Sequence, residues 1–523
     1  MPRTGIHHGS KSKTLLLLTA SLISSLIMLD SNIVAVALPT IARSLNATFT
    51  DIEWVVSAYI LTFAALLLAA GSYADRHGRK RAMLIGLGIF IIASALCGFA
   101  TSAHVLNWAR ALQGIGGSLL LTSALAVINH AFVGVDRAKA YAFWGTCLGI
   151  AITSGPIVGG VITDWLGWRW AFLINLPVGF ILFIAAAKII DESRDPDAKS
   201  LDIAGILTFS CALFLLIWAL IDGNNVGWAT TVIIWRLVGA ALLFIAFAVV
   251  EVRQKRPMVD FSLFRNRTFL GATFAMLGYA AGAQVLVFFL PLFLQIAYGL
   301  APSSAGFAML PFALPMFLTP LLGARLAGRY SGRTLLTLGL VVSVFGDVLL
   351  STLAASEASY AFLVIGMLVA GAGAGLLNGE TAKVMQGAVP AQRAGMGSGL
   401  TATVRFVGLL LGVVSLGALL SKEVSRHFIA SSLSLGLDPN LAASFAKRVA
   451  AGDFGSLMIQ LPTSLHEPVQ AAATKSFVSG FAAASALAAI TAATAGILTY
   501  VLVRRADTAP AVGGHESAVA AME

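Results

Sequence analysis

Fourteen stretches of this sequence stay apolar for roughly twenty residues each, the length a helix needs to cross the hydrocarbon of a bilayer. They run over 14–38, 54–74, 82–101, 104–130, 138–163, 169–189, 201–222, 231–250, 268–294, 303–325, 334–353, 359–381, 396–420 and 479–503. Polarity does not alternate within them, which disfavours a transmembrane β-barrel. Only 11% of the residues are charged, against roughly 25% in a soluble domain, too few to cover a water-facing surface. The expected fold is therefore all-α and integral to the membrane, with 14 transmembrane helices. Glycine, at 51 residues, is abundant enough to let such helices approach closely.

Sidedness follows from the basic residues. An even number of helices puts both ends on one side. In the ends and short connections, that side carries 24 Lys and Arg, and the opposite side carries Arg43, Arg169 and Arg236. By the positive-inside rule both termini are cytoplasmic, in the plasma (inner) membrane of a bacterium. The net charge of +10 is spread along these edges, so it marks topology and not a nucleic-acid partner. Cys97, Cys147 and Cys211 lie in apolar runs and behave as small hydrophobes. No GxxxxGK[ST] phosphate loop occurs, and the eight histidines form no metal set. An enzyme, an ATP-driven pump and a bound cofactor are therefore not expected. Short cytoplasmic connections argue against a non-transporting sensor.

The chain then divides into a cytoplasmic N-terminus (1–13), a six-helix bundle (14–190), an inserted pair of helices 7 and 8 (201–250), a second six-helix bundle (268–503) and a cytoplasmic tail (504–523). A weak internal repeat supports two related bundles. GSYADRHGR at 71–79 and GARLAGRYSGR at 323–333 each join an apolar helix to the next. Repeated halves around a central site are a transporter signature. Chance likeness of Gly/Arg-rich turns is the competing explanation. The polar connection 421–477 holds a candidate amphipathic helix near Leu441–Ala451. It reads as a solvated connector, a cover for the cavity mouth, or a dock for a periplasmic adaptor.

Ionisable residues inside a membrane are costly and so mark function. Asp30 in helix 1 lies about 13 Å below the outer end, and Arg110 in helix 4 about 9 Å below it. Opposite charges at one level are expected to pair. Burial disfavours a charged carboxylate and a nearby arginine favours it, so the pair can load and release a proton. The alternative is a static ion pair that sets helix packing. Asp347 in helix 11 is a candidate substrate or second proton site, or a plain interhelical hydrogen bond. Glu380 and Arg405 are further candidates that either pair with each other or, for Glu380, snorkel to water.

Three motifs surround these charges. Gly71, Asp75, Arg76, Gly78 and Arg79 form a cytoplasmic turn in which Asp75 is expected to cap a neighbouring helix and the basic residues to form a charge latch. Arg110, Gln113 and Gly114 lie together in helix 4. Helix 5 carries Gly145, Gly149, Gly155, Pro156, Gly159 and Gly160, which allow close approach and bending.

The turn resembles the cytoplasmic-loop motif of the major facilitator superfamily, the Arg110 segment its helix-4 motif tied to proton coupling, and the Gly145–Gly160 stretch its antiporter helix-5 motif. Leu29-Asp30-Ser31-Asn32-Ile33-Val34 through Pro39 resembles the helix-1 signature of the fourteen-helix drug:proton antiporters of the EmrB/QacA type, with Ser31 and Asn32 as mild departures. Trp168, Arg169, Trp170, Phe172, Asn175 and Pro177 fit that branch. Leu263 to Asn266, Pro390 to Gly399, and Arg405 are thinner matches. The resemblance implies two six-helix bundles plus two inserted helices, and proton-coupled export of amphipathic or cationic drugs, dyes and biocides by alternating access. A dedicated exporter of one metabolite, lipid or siderophore is the alternative. The implied partners are these small molecules, protons and the lipid bilayer.

Overall fold

The computed structural model describes residues 10–132, 134–194, 202–254, 257, 259–389, 394–451 and 461–508. Residues 1–9 and 509–523, Pro390 and the segment 452–460 of the long connection lie outside the described residues. Every element named below is helical, and 14 helices are long and apolar enough to cross a membrane. In order these are helix 1 (Ser10–Leu45), helix 2 (Phe49–His77), helix 3 (Arg79–Gly98), helix 4 (Ala103–Ala131), helix 5 (Gly134–Trp165), helix 6 (Trp170–Ile189), helix 7 (Ile203–Val226), helix 8 (Thr231–Arg253), helix 9 (Arg267–Ala297), helix 10 (Pro302–Leu326), helix 11 (Gly332–Ala355), helix 12 (Tyr360–Gly387), helix 13 (Ala394–Ser434) and helix 14 (Thr463–Leu502). Both ends emerge on one face, the terminal face; the opposite face is called distal.

Local chemistry sets several of these ends. Thr48 opens helix 2 with a reciprocal capping box, its hydroxyl accepting from the Asp51 N–H while the Asp51 carboxylate accepts from the Thr48 N–H. Asn266 and Ser331 cap helices 9 and 11 one-sidedly, each side chain accepting from N–H groups of the first turn. Gly78 joins helices 2 and 3 at φ 113°, a left-handed backbone that a β-carbon resists.

The largest departure from the sequence expectation is at 421–477. Helix 13 continues to Ser434, and helix 14 begins at Thr463. At 41 and 40 residues, each is about 60 Å long, twice a bilayer core. Beyond the bilayer a helix no longer needs apolar sequence, so composition hid it. Between them the short helix Pro439–Ala450 is capped by Asp438, and it buries Ala442, Phe445, Ala446 and Val449 against helix 13.

Helices 1–6 pack among themselves, as do helices 9–14. Helices 7 and 8 pair, and helix 7 leans on helix 2 of one bundle and helix 13 of the other, astride the seam. Large apolar side chains cover the outside. Ile92 (60% exposed), Phe180 (61%) and Leu242 (61%) would be untenable in water but suit lipid. All the tryptophans but Trp144 lie in the distal third or the distal connections, and Trp108, Trp165 and Trp235 are exposed there, as an interfacial aromatic belt requires.

One packing detail occurs in both bundles. In the first, Thr62 of helix 2 donates to Ala58 O and, across to helix 4, to Ala111 O (2.8 Å), and Gly114 rests on the Tyr59 carbonyl. In the second, Thr319 of helix 10 donates to Pro315 O and across to Ala372 O of helix 12 (3.0 Å), and Gly375 rests on Met316 O. Carried one turn further, the same register sets Arg110 over Val55 O in the first bundle and Gly371 over Phe312 O in the second. The crossing is repeated, but its arginine is not.

Candidate functional site

Asp30 is fully buried, and four elements converge on it. Arg110 Nη1 donates to Asp30 Oδ2 at 2.7 Å, Gln113 Nε2 to Oδ1 at 2.9 Å, and Asn175 Nδ2 of helix 6 to Oδ1 at 2.6 Å. Ser94 of helix 3 accepts from Gln113 (2.8 Å) and from Asn175 (3.3 Å), tying the two amides together. Arg110 is 1% exposed. Its Nε donates to the Val55 carbonyl of helix 2 at 3.0 Å, Nη1 also reaches Gln113 Oε1 at 2.6 Å, and its guanidinium lies 4.2 Å from the Tyr59 ring centre. A buried ion pair is tolerable only when its remaining hydrogen-bonding capacity is met, and here every helix from 1 to 4, with helix 6, contributes.

The expected pairing of Asp30 and Arg110 is present, with Gln113 beside it. Gly114 has the different task described above, letting helix 4 lie on Tyr59 O. Helix 1 carries the effect onward. Asn32 and Ile33, less than one turn beyond Asp30, are the floor on which Gly155 and Gly159 of helix 5 rest; a Cβ on Gly159 would stand 2.8 Å from the Ile33 backbone. Val36 O, six residues beyond Asp30, accepts from Gln295 of helix 9 at 3.0 Å.

Helix 5 also meets the second bundle. Gly160 abuts the Pro302 carbonyl, Gly306 of helix 10 abuts Pro156 O, and Gly149 lies against the Phe317 ring. Ser303 donates to Asp164 close by. Gly145 has nothing near the place of a side chain. The seam between the bundles is thus closed at its distal face, backbone on backbone. Gly160→Ala is expected to wedge it apart. Labelling of a single engineered cysteine at Ala305, fully buried beside Gly306 at the seam, should accelerate in that variant, in a background where Cys97, Cys147 and Cys211 are replaced.

At the terminal face, the turn folds differently from the expectation. Asp75 sits in the last turn of helix 2 and accepts from Arg79 (2.9 and 3.1 Å). It does not cap a helix. Glu192, after helix 6, does: its two oxygens accept the N–H groups of Lys80 and Arg81, both at 3.1 Å, and Lys80 Nζ donates to Ala187 O. Arg76 is exposed, and Gly71 lies 3.9 Å from Thr122 at the Cβ position. These partners all belong to the first bundle, so the latch described here staples helices 2, 3 and 6 together and does not bridge the bundles.

In the second bundle the candidates stand apart. Asp347 is fully buried in helix 11, and neither carboxylate oxygen has a hydrogen-bond partner among the described residues. Glu380 is 3.5 Å from Lys383 and does not meet Arg405. Arg405 Nε donates to Gln284 (3.1 Å), and its Nη2 to the Tyr279 hydroxyl (3.3 Å), which donates to Asn378. Tyr279 and Gln284 bound a π-helical segment of helix 9, a widened turn common at functional sites. The expected Glu380–Arg405 pair fails because depth along a helix says nothing about which way a side chain faces.

Comparison with known proteins adds the family. The sequence profile of the Major Facilitator Superfamily matches residues 20–413. The chain is 32% identical over 437 residues to the multidrug resistance protein Stp of Mycobacterium tuberculosis, covering 83% of this chain and 79% of that protein. It is 30% identical over 484 residues to the multidrug efflux pump LfrA of Mycolicibacterium smegmatis, covering 92% and 94%. A probable actinorhodin transporter of Streptomyces coelicolor is 31% identical over 403 residues, covering 75% and 70%. In fold, the chain resembles a bacterial homolog of the human lysosomal transporter Spinster in an inward-facing, occupied conformation, with a TM-score of 0.64 and 17% identity over 96% of this chain and 100% of that one. The matched residues include the Asp30 cluster and the glycine seam, and they run into helix 13: the chain belongs to the Major Facilitator Superfamily.

Proposed function

We propose that this transporter is a proton-coupled antiporter that exports amphipathic, often cationic, small molecules by alternating access, with its terminal face in the bacterial cytoplasm. The observation that carries the reading is the buried Asp30 cluster. An acid held by Arg110, Gln113 and Asn175 inside the membrane is a place to bind a proton. It sits on the same helix, less than one turn away, as the residues that floor the distal seam. A proton on Asp30 removes the charge that holds Arg110. The ion pair relaxes, and helix 1 is free to shift against helices 4 and 6. That shift reaches Ile33 and Val36, where helix 1 meets helices 5 and 9.

The closed distal seam fits this reading's state in which substrate would enter from the terminal face. The names of the relatives support small-molecule efflux, and among them are both multidrug pumps and a transporter named for one compound. The test uses inverted vesicles, a panel of dyes and biocides, and a protonophore. Export of several unrelated compounds, lost when the gradient is collapsed, is the expected result. Export of a single compound would favour the dedicated exporter, and export that persisted without the gradient would refute the antiport mechanism.

A further inference from the structure

Glu53 has no task in the cycle proposed above. It lies in the second turn of helix 2 at the distal face, is 6% exposed, and its Oε1 has no hydrogen-bond partner among the described residues. Its carboxyl fills the niche left by Gly417 of helix 13, where any Cβ would collide with it, and Phe289 of helix 9 closes the same niche. The adjacent Trp54 stands 6.4 Å, centre to centre, from Phe214 of helix 7. Glu53 therefore sits where the first bundle, the second bundle and the inserted pair all meet. A carboxylate buried with an unmet oxygen is costly, and a neutral carboxylic acid is far less so.

We infer that Glu53 is a second proton-binding site, loaded from the distal side, whose proton is required for the distal seam to close. Its part in transport rests on the antiport reading; the binding itself does not. When the bundles rock apart at this face, helices 2 and 13 separate and Glu53, near the start of its helix, is hydrated. Water lets it ionise. Closure strips that water away, so the carboxylate must first take one proton from the distal medium. Closing is thereby tied to proton uptake on the side from which an antiporter draws its protons.

The other charged groups on the elements packed around it are already engaged or lie nearer the surface. Asp222 of helix 7 is paired with Arg236 of helix 8 at 2.6 Å. Arg110 of helix 4 is held by Asp30. On helix 13, past Gly417, come Lys422 and Glu423, the latter 2.7 Å from Arg426 and 3.6 Å from His427. Lys447 of the short distal helix lines a hollow with Thr48, Phe49 and Thr50. None forms an ion pair with Glu53 among the described residues.

The experiment uses the full-length protein in nanodiscs, with paired labels at Asn46 and Gly299 on opposite sides of the distal seam and the native cysteines replaced. In the parent protein, the open-to-closed ratio should rise with pH, by at most about tenfold per pH unit for a single site. Glu53→Gln, a permanently neutral isostere, should stay closed across the range and should also lose the infrared C=O band of a buried carboxylic acid. Glu53→Asp should keep the pH response with a shifted midpoint. Gly417→Ala, which fills the niche, should raise the open fraction at every pH. A Glu53→Gln protein that opens with pH as the parent does, or a parent seam indifferent to pH, overturns the inference. Vesicle export separates it from the antiport reading. Gradient-driven export alongside an unchanged Glu53→Gln response refutes this site alone. Gradient-independent export alongside a lost response refutes antiport alone.

Discussion

Asp30→Asn is expected to abolish gradient-driven export, down to the level of vesicles without the protein, while leaving folding and insertion intact. The substitution is close to isosteric and keeps a carbonyl that can accept from Arg110 or Asn175. What it removes is the charge and the ability to take a proton. Arg110 is not left naked. Its Nε still donates to Val55 O, its Nη1 to Gln113, and its guanidinium still faces the Tyr59 ring. Substrate binding should survive, because the cluster is sealed inside the first bundle and is not exposed to a cavity. The check is a pair of measurements on one preparation: dye binding by fluorescence, and uphill export in vesicles with an imposed gradient. Retained binding with lost export places Asp30 in coupling. Retained export would remove it from the mechanism.

Much of the architecture was legible because membranes punish ambiguity. Each helix must satisfy its own backbone and present apolar side chains for about 30 Å, so its position shows in composition. The pairing of Asp30 with Arg110 was legible for the same reason, since opposite charges at one depth have few other ways to be tolerated. Of the neutral members, Gln113 and Asn175 were marked only through the resemblance, and Ser94 and Tyr59 not at all. Ser94 and Tyr59 lie in apolar runs where such residues are common, and only their contacts distinguish them. Glu53 was missed because the apolar run starts at Trp54, whereas the Thr48 cap starts the helix at Phe49. Glu192 was missed because it follows the helix it belongs to and caps one more than a hundred residues earlier in the chain. The distal extensions of helices 13 and 14 leave the bilayer, and with it the constraint that made the other helices readable.

The repeated crossing sharpens what the two halves share. Thr62 and Gly114 recur as Thr319 and Gly375, so the bundles keep one way of holding neighbouring helices together. At the next turn, one bundle carries Arg110 and the other Gly371. The first bundle thus spends that position on charge and the second on close contact. On the antiport reading proposed above, a proton site at this crossing in one half and a close backbone contact in the other would let one bundle respond to protonation while its partner provides a surface to move against.

Arg110→Ala should then be the most damaging single change in the first bundle. It is the largest side chain buried below 2% exposure, so its removal opens a cavity, and it strips the cation from a buried carboxylate. Breaking a buried pair in this way costs about 3–5 kcal/mol. The cavity and the orphaned charge can be separated. In the double variant Arg110→Ala with Asp30→Asn, the cavity remains but the charge is gone, so stability should recover by about 2 kcal/mol relative to Arg110→Ala, the scale of a hydrogen bond to a charged group. Asp30→Asn alone should cost less than Arg110→Ala, since the guanidinium keeps its neutral partners. Denaturant unfolding of the four proteins in the same detergent measures all three differences. A double variant no more stable than Arg110→Ala would mean that packing, and not charge, governs the cluster. None of the three variants should export against a gradient, so recovery of stability without recovery of transport is the outcome that separates the structural role of the pair from its coupling role.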